Sequence, residues 1–280
     1  MSKSKRETGR STSMKQDPMP RTEKMNVRHE QIVNALGEHR EASVQVLADS
    51  FGVSVMTIRR DLMLLEQAGR LTRTHGGAVL SKVGIVEFAF DRKARKYAAE
   101  KHAIAQEVAS LVQPGMSISL DSGTTTLEVA KAIAGVESLT VLTSSLAIAS
   151  VLYTHENINL MLLGGQARTG SPDLTGWLTE ENARQFHVDL AIVGADGVNR
   201  HGAFTTAVDV TKVCQAILAG GETTILVVDH GKFDKPSFAR FATLREIDHI
   251  ITDSGVSRAT RTWLTKHANQ MTYARTVKKR

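Results

Sequence analysis

The sequence predicts two domains of different class: a small, all-α N-terminal unit ending in a hairpin, and a larger C-terminal α/β unit on a parallel sheet. Three observations predict this. Near the N-terminus, apolar residues recur at helical spacing in two short runs on either side of Gly52. Beyond Gly115, short β-rich runs at 117–120, 139–142, 158–163, 190–193, 223–228 and 249–252 are largely continuous in apolar residues. Helical segments near 127–134, 146–153, 177–186, 208–219 and 256–266 separate most of them, which fits a parallel sheet covered on both faces.

Composition bounds the class. The chain has 280 residues, 41% apolar and 23% charged, enough for two domains with a sizeable core. No apolar run approaches the roughly 20 residues of a membrane span, and the N-terminus has no secretory pattern. Cytoplasm is the expected location. One cysteine, Cys214, leaves no internal disulfide and no cysteine-based metal site, and no cofactor is expected. The net charge is +6, and the first 80 residues hold 13 Lys/Arg against 9 Asp/Glu, the rest 22 against 20. The excess sits on the short N-terminal part, as a polyanion partner would want.

Residues 1–25 have no apolar period and read as a disordered basic tail. Either it seeks the same polyanion or it is a dispensable extension from a start codon placed too far upstream. A helix is expected from about Asn26 to Gly37, with Ile32, Val33 and Leu36 inward and Arg28 facing a phosphate or solvent. The domain it braces is expected to span 26–80.

Residues 43–78 carry the strongest pattern. Leu47, Phe51 and Val53 form the inside of one short helix and its turn, and Gly52 supplies the backbone freedom required just past a helix end. Ser54 is a natural N-cap for the next helix. There Val55, Ile58, Leu62 and Leu65 share a face, and Arg60 points away from it between Met56, Thr57 and Leu64. Arg59 and Asp61 fall on the flanks. Such a helix suits a major groove, because Arg can donate two bonds to a guanine edge. Residues 71–77 then read as a strand and a Gly-rich tip, the wing of a winged helix-turn-helix. The expected DNA contacts are Ser54, Met56, Thr57 and Arg60 on or at the helix, with Arg59, Arg73 and His75 on phosphates. A single unit of this size buries little surface, so double-stranded DNA would be met by a homo-oligomer, a dimer or tetramer.

Val-Ser-Val-Met-Thr-Ile-Arg-Arg-Asp-Leu, followed by Leu-Glu-Gln-Ala-Gly-Arg-Leu-Thr-Arg-Thr-His-Gly-Gly-Ala, closely resembles the DNA-binding domain of DeoR-type bacterial transcriptional regulators. Residues 81–100 read as a linker that becomes helical near its end, although Phe88, Phe90 and Tyr97 are too apolar for a free tether. A helix through Ile104, Ala105, Val108 and Leu111 follows and stops at Pro114-Gly115.

In parallel sheets, ligands sit at the carboxyl ends of the strands. The first strand here runs into Asp121, Ser122, Gly123, Thr124, Thr125 and Thr126 before a helix opens, a seat for a phosphate dianion. The third strand ends at Gly164 and Gly165, the fourth at Gly194-Ala195-Asp196-Gly197, and the fifth at Asp229-His230-Gly231-Lys232. Lys212 and Lys232 are candidate counter-charges to a phosphate. Asp121 and Asp196 either bond sugar hydroxyls or cap their turns.

This wording is also similar to the DeoR family, through Asp-Ser-Gly-Thr-Thr-Thr, Leu-Thr-Val-Leu-Thr, Gly164-Gly165, Gly-Ala-Asp-Gly and Ile251-Thr252-Asp253. The resemblance implies that residues 101–280 form an effector-sensing and oligomerisation domain, similar in fold to pentose-phosphate isomerases. It also implies that a phosphorylated sugar or related small molecule controls DNA binding, with repression the expected outcome. Three departures bear on the effector. Ser144 replaces the usual Asn, Asp229-His230-Gly231-Lys232 replaces Asp-Ser-Ser-Lys, and Ser171-Pro172-Asp173 is unlike the usual wording before Gly176-Trp177.

Two rival readings stand beside the regulator. An isomerase needs an acid or base to move a proton. Compared with the isomerases, Gly197 and Thr211 stand where an acidic residue and a Glu are expected, so catalysis is not expected. A ligand-free DNA-binding scaffold is disfavoured by the polar strand-end loops and the 5% aromatic content, since an oligomer interface prefers apolar and aromatic residues at its core.

Overall fold

The computed structural model describes residues 21–235 and 237–276. The chain falls into two compact units, one ending at Ile85 and the other starting at Val86. The first holds α1 (Arg21–His39), β1 (Glu41–Ser43), α2 (Val44–Phe51), α3 (Val55–Gln67), β2 (Leu71–Arg73) and β3 (Gly77–Leu80). The strands make an antiparallel sheet in the order β1-β3-β2. Ile32, Val33 and Leu36 of α1 pack with Leu47, Ile58, Leu62 and Leu65 of the next two helices, as helical phasing predicts. Gly52 takes the left-handed conformation at φ 62°, and Ser43 and Ser54 cap α2 and α3 through their hydroxyls.

Three expectations need correction here. The first helix starts at Arg21, so the last residues of the expected tail are helical, in keeping with the helix-forming Arg, Glu, Lys and Met among them; residues 1–20 lie outside the described ones. Asp61, expected on a flank of α3, is 2% exposed because α1 covers it. The expected linker is helical from its start: α4 runs Lys82–Arg95 and α5 Ala98–Ala109. The first turn of α4 lies hard against the hairpin, where a Cβ on Gly84 would stand 1.9 Å from the Arg70 carbonyl oxygen.

The second unit continues with β4 (Ser117–Leu120), α6 (Thr124–Ile133), β5 (Leu139–Thr143), α7 (Leu146–Leu152) and β6 (Ile158–Leu162). A two-stranded hairpin, β7 (Gln166–Ala167) and β8 (Leu174–Thr175), precedes α8 (Trp177–Arg184) and β9 (Val188–Val193). Next come β10 (Gly197–Asn199), β11 (Gly202–Thr205), α9 (Val208–Ala219), β12 (Gly221–Val227) and β13 (Ala239–Ala242). The described chain closes with β14 (His249–Asp253), α10 (Arg258–His267) and β15 (Gln270–Ala274). The seven-stranded sheet has the order β15-β14-β12-β9-β4-β5-β6, with every pairing parallel. Strands β10, β11 and β13 form a separate small sheet.

The pleat explains the apolar runs. Along β9 and β12, Leu190, Ile192, Ile225 and Val227 face the core formed with α5, α6 and α7. Their neighbours Ala191, Val193, Leu226 and Val228 face a second core with α8, α9 and α10. Both faces are covered, so alternation between polar and apolar residues has no place. The strand order also fixes a ligand position. From β4 the chain winds one way through β5 and β6, then returns to the other side of β4 with β9 and continues outward. The carboxyl ends of β4 and β9 therefore flank the point where the winding reverses, where open α/β sheets hold ligands.

Candidate functional sites

In the N-terminal unit, α3 presents Met56 at 70% exposure and exposed Arg60 on the side opposite its buried residues, with exposed Arg59 on a flank. Ser54 and Thr57 lie at its first turn. The Ser54 hydroxyl accepts from the Thr57 amide at 3.1 Å and shares a 2.9 Å hydrogen bond with the Thr57 hydroxyl, so both groups serve the cap. Between β2 and β3, Thr74, His75 and Gly76 form an exposed tip, closed by the Thr74 amide on the Gly77 carbonyl.

Two of the basic residues considered above as phosphate contacts are engaged within the unit. Arg73 is held to Glu66 through its backbone amide at 3.0 Å and its Nε at 2.6 Å, which keeps the Glu66 carboxyl below its usual range. The pair fastens the hairpin to the end of α3 and leaves the guanidinium about half exposed. Arg28, read above as facing a phosphate or solvent, instead donates to Asp61 through Nε at 2.6 Å and Nη2 at 3.0 Å, and His29 Nε2 lies 3.1 Å from the same carboxylate. A buried carboxylate needs such partners.

In the C-terminal unit, a cleft of about 160 Å³ opens at the winding reversal. Its floor is the loop from β4 into α6, where Asp121, Ser122, Gly123, Thr124, Thr125 and Thr126 all line it. Gly123 stands before the first turn of α6, whose free amides and positive dipole end suit an anion. Across the cleft are Gly194, Ala195 and Asp196, after β9, and Lys232, after β12.

The structure does not bring every expected residue there. Lys212 is exposed on α9 and lines no part of the cleft. Gly164 and Gly165 pack on α8, where the Thr179 hydroxyl donates to the Gly164 carbonyl at 2.7 Å. A Cβ on Gly165 would lie 1.9 Å from that hydroxyl. Gly197 starts β10, and a Cβ there would meet the Lys235 carbonyl oxygen at 2.7 Å. These glycines permit close packing.

Residues without a sequence-based role complete the cleft. Arg168, from the β7–β8 hairpin, binds Asp173 through Nε at 3.0 Å and Nη2 at 2.7 Å, and Asp173 also accepts from the Ser122 hydroxyl at 2.7 Å. Burial disfavours the Arg168 charge, but the bonds and charge of Asp173 outweigh it and hold the guanidinium above its ordinary range. Phe90 and Lys93 come from α4, and the Lys93 ammonium stands 4.0 Å from Asp196. Asp196 also accepts from the amide and hydroxyl of Thr206, each at 3.0 Å. The unusual Ser171-Pro172-Asp173 wording and the charged run at 91–96 were the available signals.

Burial sets the remaining charges. Asp121, 3% exposed, is pushed up to about 7 by desolvation, partly offset by the amides of Ser122 and Gly194. The buried Cys214 thiol is pushed up by desolvation and by the charge of Asp121. Lys232 is lowered by burial and pulled back by Asp196 and Asp229. His230, part of the departure from the usual Asp-Ser-Ser-Lys wording, has its Nδ1 2.8 Å from Asp253 Oδ2. Among the described residues, no group of three or more His, Cys, Asp or Glu side chains is placed to hold a metal ion.

Two family models match. Residues 28–83 fit the DeoR-like helix-turn-helix domain, and residues 96–254 the DeoR C terminal sensor domain. Similar relatives include a transcriptional repressor, AccR, of Agrobacterium fabrum, 36% identical over 81% of this chain and 89% of its own. Another is the putative aga operon transcriptional repressor of Escherichia coli O157:H7, 32% identical over 82% of this chain and 86% of its own. The glycerol-3-phosphate regulon repressor of Escherichia coli K12 is 30% identical over 89% and 98%. Among solved structures, a D-ribose-5-phosphate isomerase in complex with phospho-erythronic acid aligns with a TM-score of 0.36 and 19% identity over 48% of this chain and 52% of that one. The chain belongs to the DeoR family of transcriptional regulators, with the DNA-binding domain and the sensor domain of that family in a single polypeptide.

Proposed function

We infer that this protein is a sequence-specific repressor of carbohydrate genes, released or retuned by a phosphorylated sugar or related metabolite. Met56 and Arg60 of α3 read base edges in the major groove, while Arg59 and the hairpin tip at His75 hold phosphates. Arg73 adds its half-exposed charge through the contact with Glu66. The observation that carries the ligand half is the meeting, where the winding reverses, of the α6 N-terminus, its Ser/Thr/Gly loop and the cations Arg168 and Lys232. The name of the glycerol-3-phosphate regulon repressor supports a phosphorylated effector.

Two or more copies act together on repeated half-sites in the bacterial cytoplasm. An assembly surface is available at the open edge of the sheet, where Leu162 and Leu178 are about two-fifths exposed and Trp177 is 76% exposed. A ligand controls DNA only through different affinities for two arrangements of the protein.

A genome-wide footprint on the organism's own chromosome, with cells grown with and without a series of sugars, tests this. Sharp peaks upstream of carbohydrate operons that change with one sugar are expected. Weak, sequence-independent occupancy under every condition would remove the assignment.

A further inference from the structure

A second cleft, of about 100 Å³, adjoins the first and shares Lys93, Thr124, Asp196 and Lys232 with it. Its other charged residues are Lys96, Lys101, Lys235 and Asp229. Five lysines thus face two carboxylates in a small concave space, a strong excess of one sign. We propose that this lysine cleft is a second anion subsite, and that the effector carries two anionic groups: a small sugar or polyol bisphosphate, or a phosphorylated sugar acid. This rests on the first reading, in which one phosphate sits at the amino end of α6. Thr124 and Lys232 line both clefts, so one molecule spans them.

The cleft is built, because independent features fix the two segments that carry its lysines. Tyr97 adopts a left-handed backbone, φ 57°, between α4 and α5, an arrangement that costs a non-glycine residue about 1–2 kcal/mol. That sharp turn places Lys96 and Lys101 on either side of it. The Tyr97 ring meets the ring of His230 edge-on, with centroids 4.4 Å apart. It packs so closely on the turn after β12 that a Cβ on Gly231 would lie 2.5 Å from it. Buried Asp253 fixes the same turn, accepting from the His230 amide at 2.6 Å and contacting its imidazole. Lys232 and Lys235 leave from this turn.

Lys101 has a different task from the others. It is 2% exposed, and its ammonium donates to the carbonyls of Lys93 and Lys96, with Ala94 at 3.4 Å. It neutralises the carboxyl end of α4, which would otherwise present negative charge to the cleft. Lys93, Lys96, Lys232 and Lys235 are then the groups that meet the ligand, as point charges suited to phosphate. Linking two anions in one molecule makes the second contact intramolecular, worth about 10²–10⁴ in affinity when the spacing fits.

The test counts inorganic phosphate bound to the full chain by equilibrium dialysis at constant ionic strength. Three proteins are compared: wild type, Ser122→Ala/Thr125→Val in the first cleft, and Lys96→Ala/Lys235→Ala in the second. Two saturable phosphates per chain, one lost with each variant, are expected. A single phosphate lost only with Ser122→Ala/Thr125→Val would overturn the second subsite and keep the first. A single phosphate lost only with Lys96→Ala/Lys235→Ala would overturn the seat at α6, and the two-anion ligand with it. No saturable phosphate would overturn both. Given two, a bisphosphate in a matched series of three-, five- and six-carbon sugars should bind at least tenfold tighter than either of its monophosphates, a margin lost in Lys96→Ala/Lys235→Ala; equal affinities throughout would refute a ligand that spans the clefts.

Discussion

Replacing Asp121 by Asn should change how the C-terminal domain's stability depends on pH. In the unfolded chain this carboxyl titrates near 3.8, whereas burial raises it to about 7 in the folded protein. Between those values the folded state holds a proton that the unfolded state has released, so stability falls as pH rises. The contribution is fully present below about pH 4, is lost at up to about 1.4 kcal/mol per pH unit, and is gone above about pH 7. From pH 5 to 7 the wild type should therefore lose about 2–3 kcal/mol relative to Asp121→Asn, which does not titrate. The Asn side-chain oxygen can still accept from the Gly194 amide, as Asp121 does at 3.3 Å. Denaturant unfolding followed by tryptophan fluorescence is the assay. Both tryptophans, Trp177 and Trp263, lie in the C-terminal unit, and Trp263 is buried, so the signal belongs to the right domain. Other titrating groups are common to both proteins and cancel in the difference. Parallel stability curves from pH 5 to 8 would refute the reasoning, because they would mean that Asp121 ionises alike in the two states.

Three further outcomes are expected. Arg60→Ala should weaken binding to a specific operator by about 1–3 kcal/mol and leave the fold intact, since Arg60 is exposed on α3; unchanged operator affinity in a gel-shift titration would mean that another face of α3 enters the groove. Asp61→Ala should destabilise the N-terminal unit by about 3 kcal/mol, the low end for a broken buried pair because Arg28 keeps some access to water. Hydrogen exchange of the α1 and α3 amides reads it, and undiminished protection would count against that pair. Lys212→Ala should leave phosphate binding at its wild-type value in the same dialysis, and a clear loss would show that α9 reaches the ligand.

The elements legible in sequence were those whose periodicity was carried by their own residues. Ile58, Leu62 and Leu65 phase α3 because burial repeats with the helical turn, and the six expected core strands are apolar because both faces of the sheet are covered. Asp61 broke the rule for α3: what buries it is α1, and its partners Arg28 and His29 stand more than thirty residues away, beyond any local pattern. Strands such as β1 and β7 are two or three residues long, too short to show a period. The place of the β4–α6 loop was legible because a turn of glycine and hydroxyl residues separates an apolar strand from a helix, a wording that serves helix capping as readily as ligand binding. Arg168 and Lys93 were not, because only the folded hairpin and α4 bring them to that loop. Lys212 fails for the opposite reason: it is near the site in chain order but lies on the exposed face of its helix.

The rival isomerase reading turns on proton transfer, and the cleft has one group that invites it. A carboxyl raised to about 7 is suited to general-base work at neutral pH. Geometry decides what Asp121 can do with that value. The side chain is almost wholly buried, takes the Gly194 amide, and faces the Cys214 thiol behind it. A base must come within hydrogen-bond reach of the proton that it removes, and the Asp121 carboxyl is already engaged by the Gly194 amide and the Cys214 thiol. The two positions where an isomerase would carry an acid are closed in other ways. Gly197 has the Lys235 carbonyl and the Ser237 side chain where any side chain would begin. The Thr211 hydroxyl is shared between the Thr205 hydroxyl at 2.9 Å and the Ala207 carbonyl at 3.1 Å, inside the protein. Asp173 is spent on Arg168 and Ser122, and Asp196 on Thr206 and Lys93. Each carboxylate at the cleft already holds part of its wall. A cleft whose cations and helix N-terminus suit an anion, and whose described carboxylates are all engaged, fits the proposed sensor, which must release its ligand unchanged.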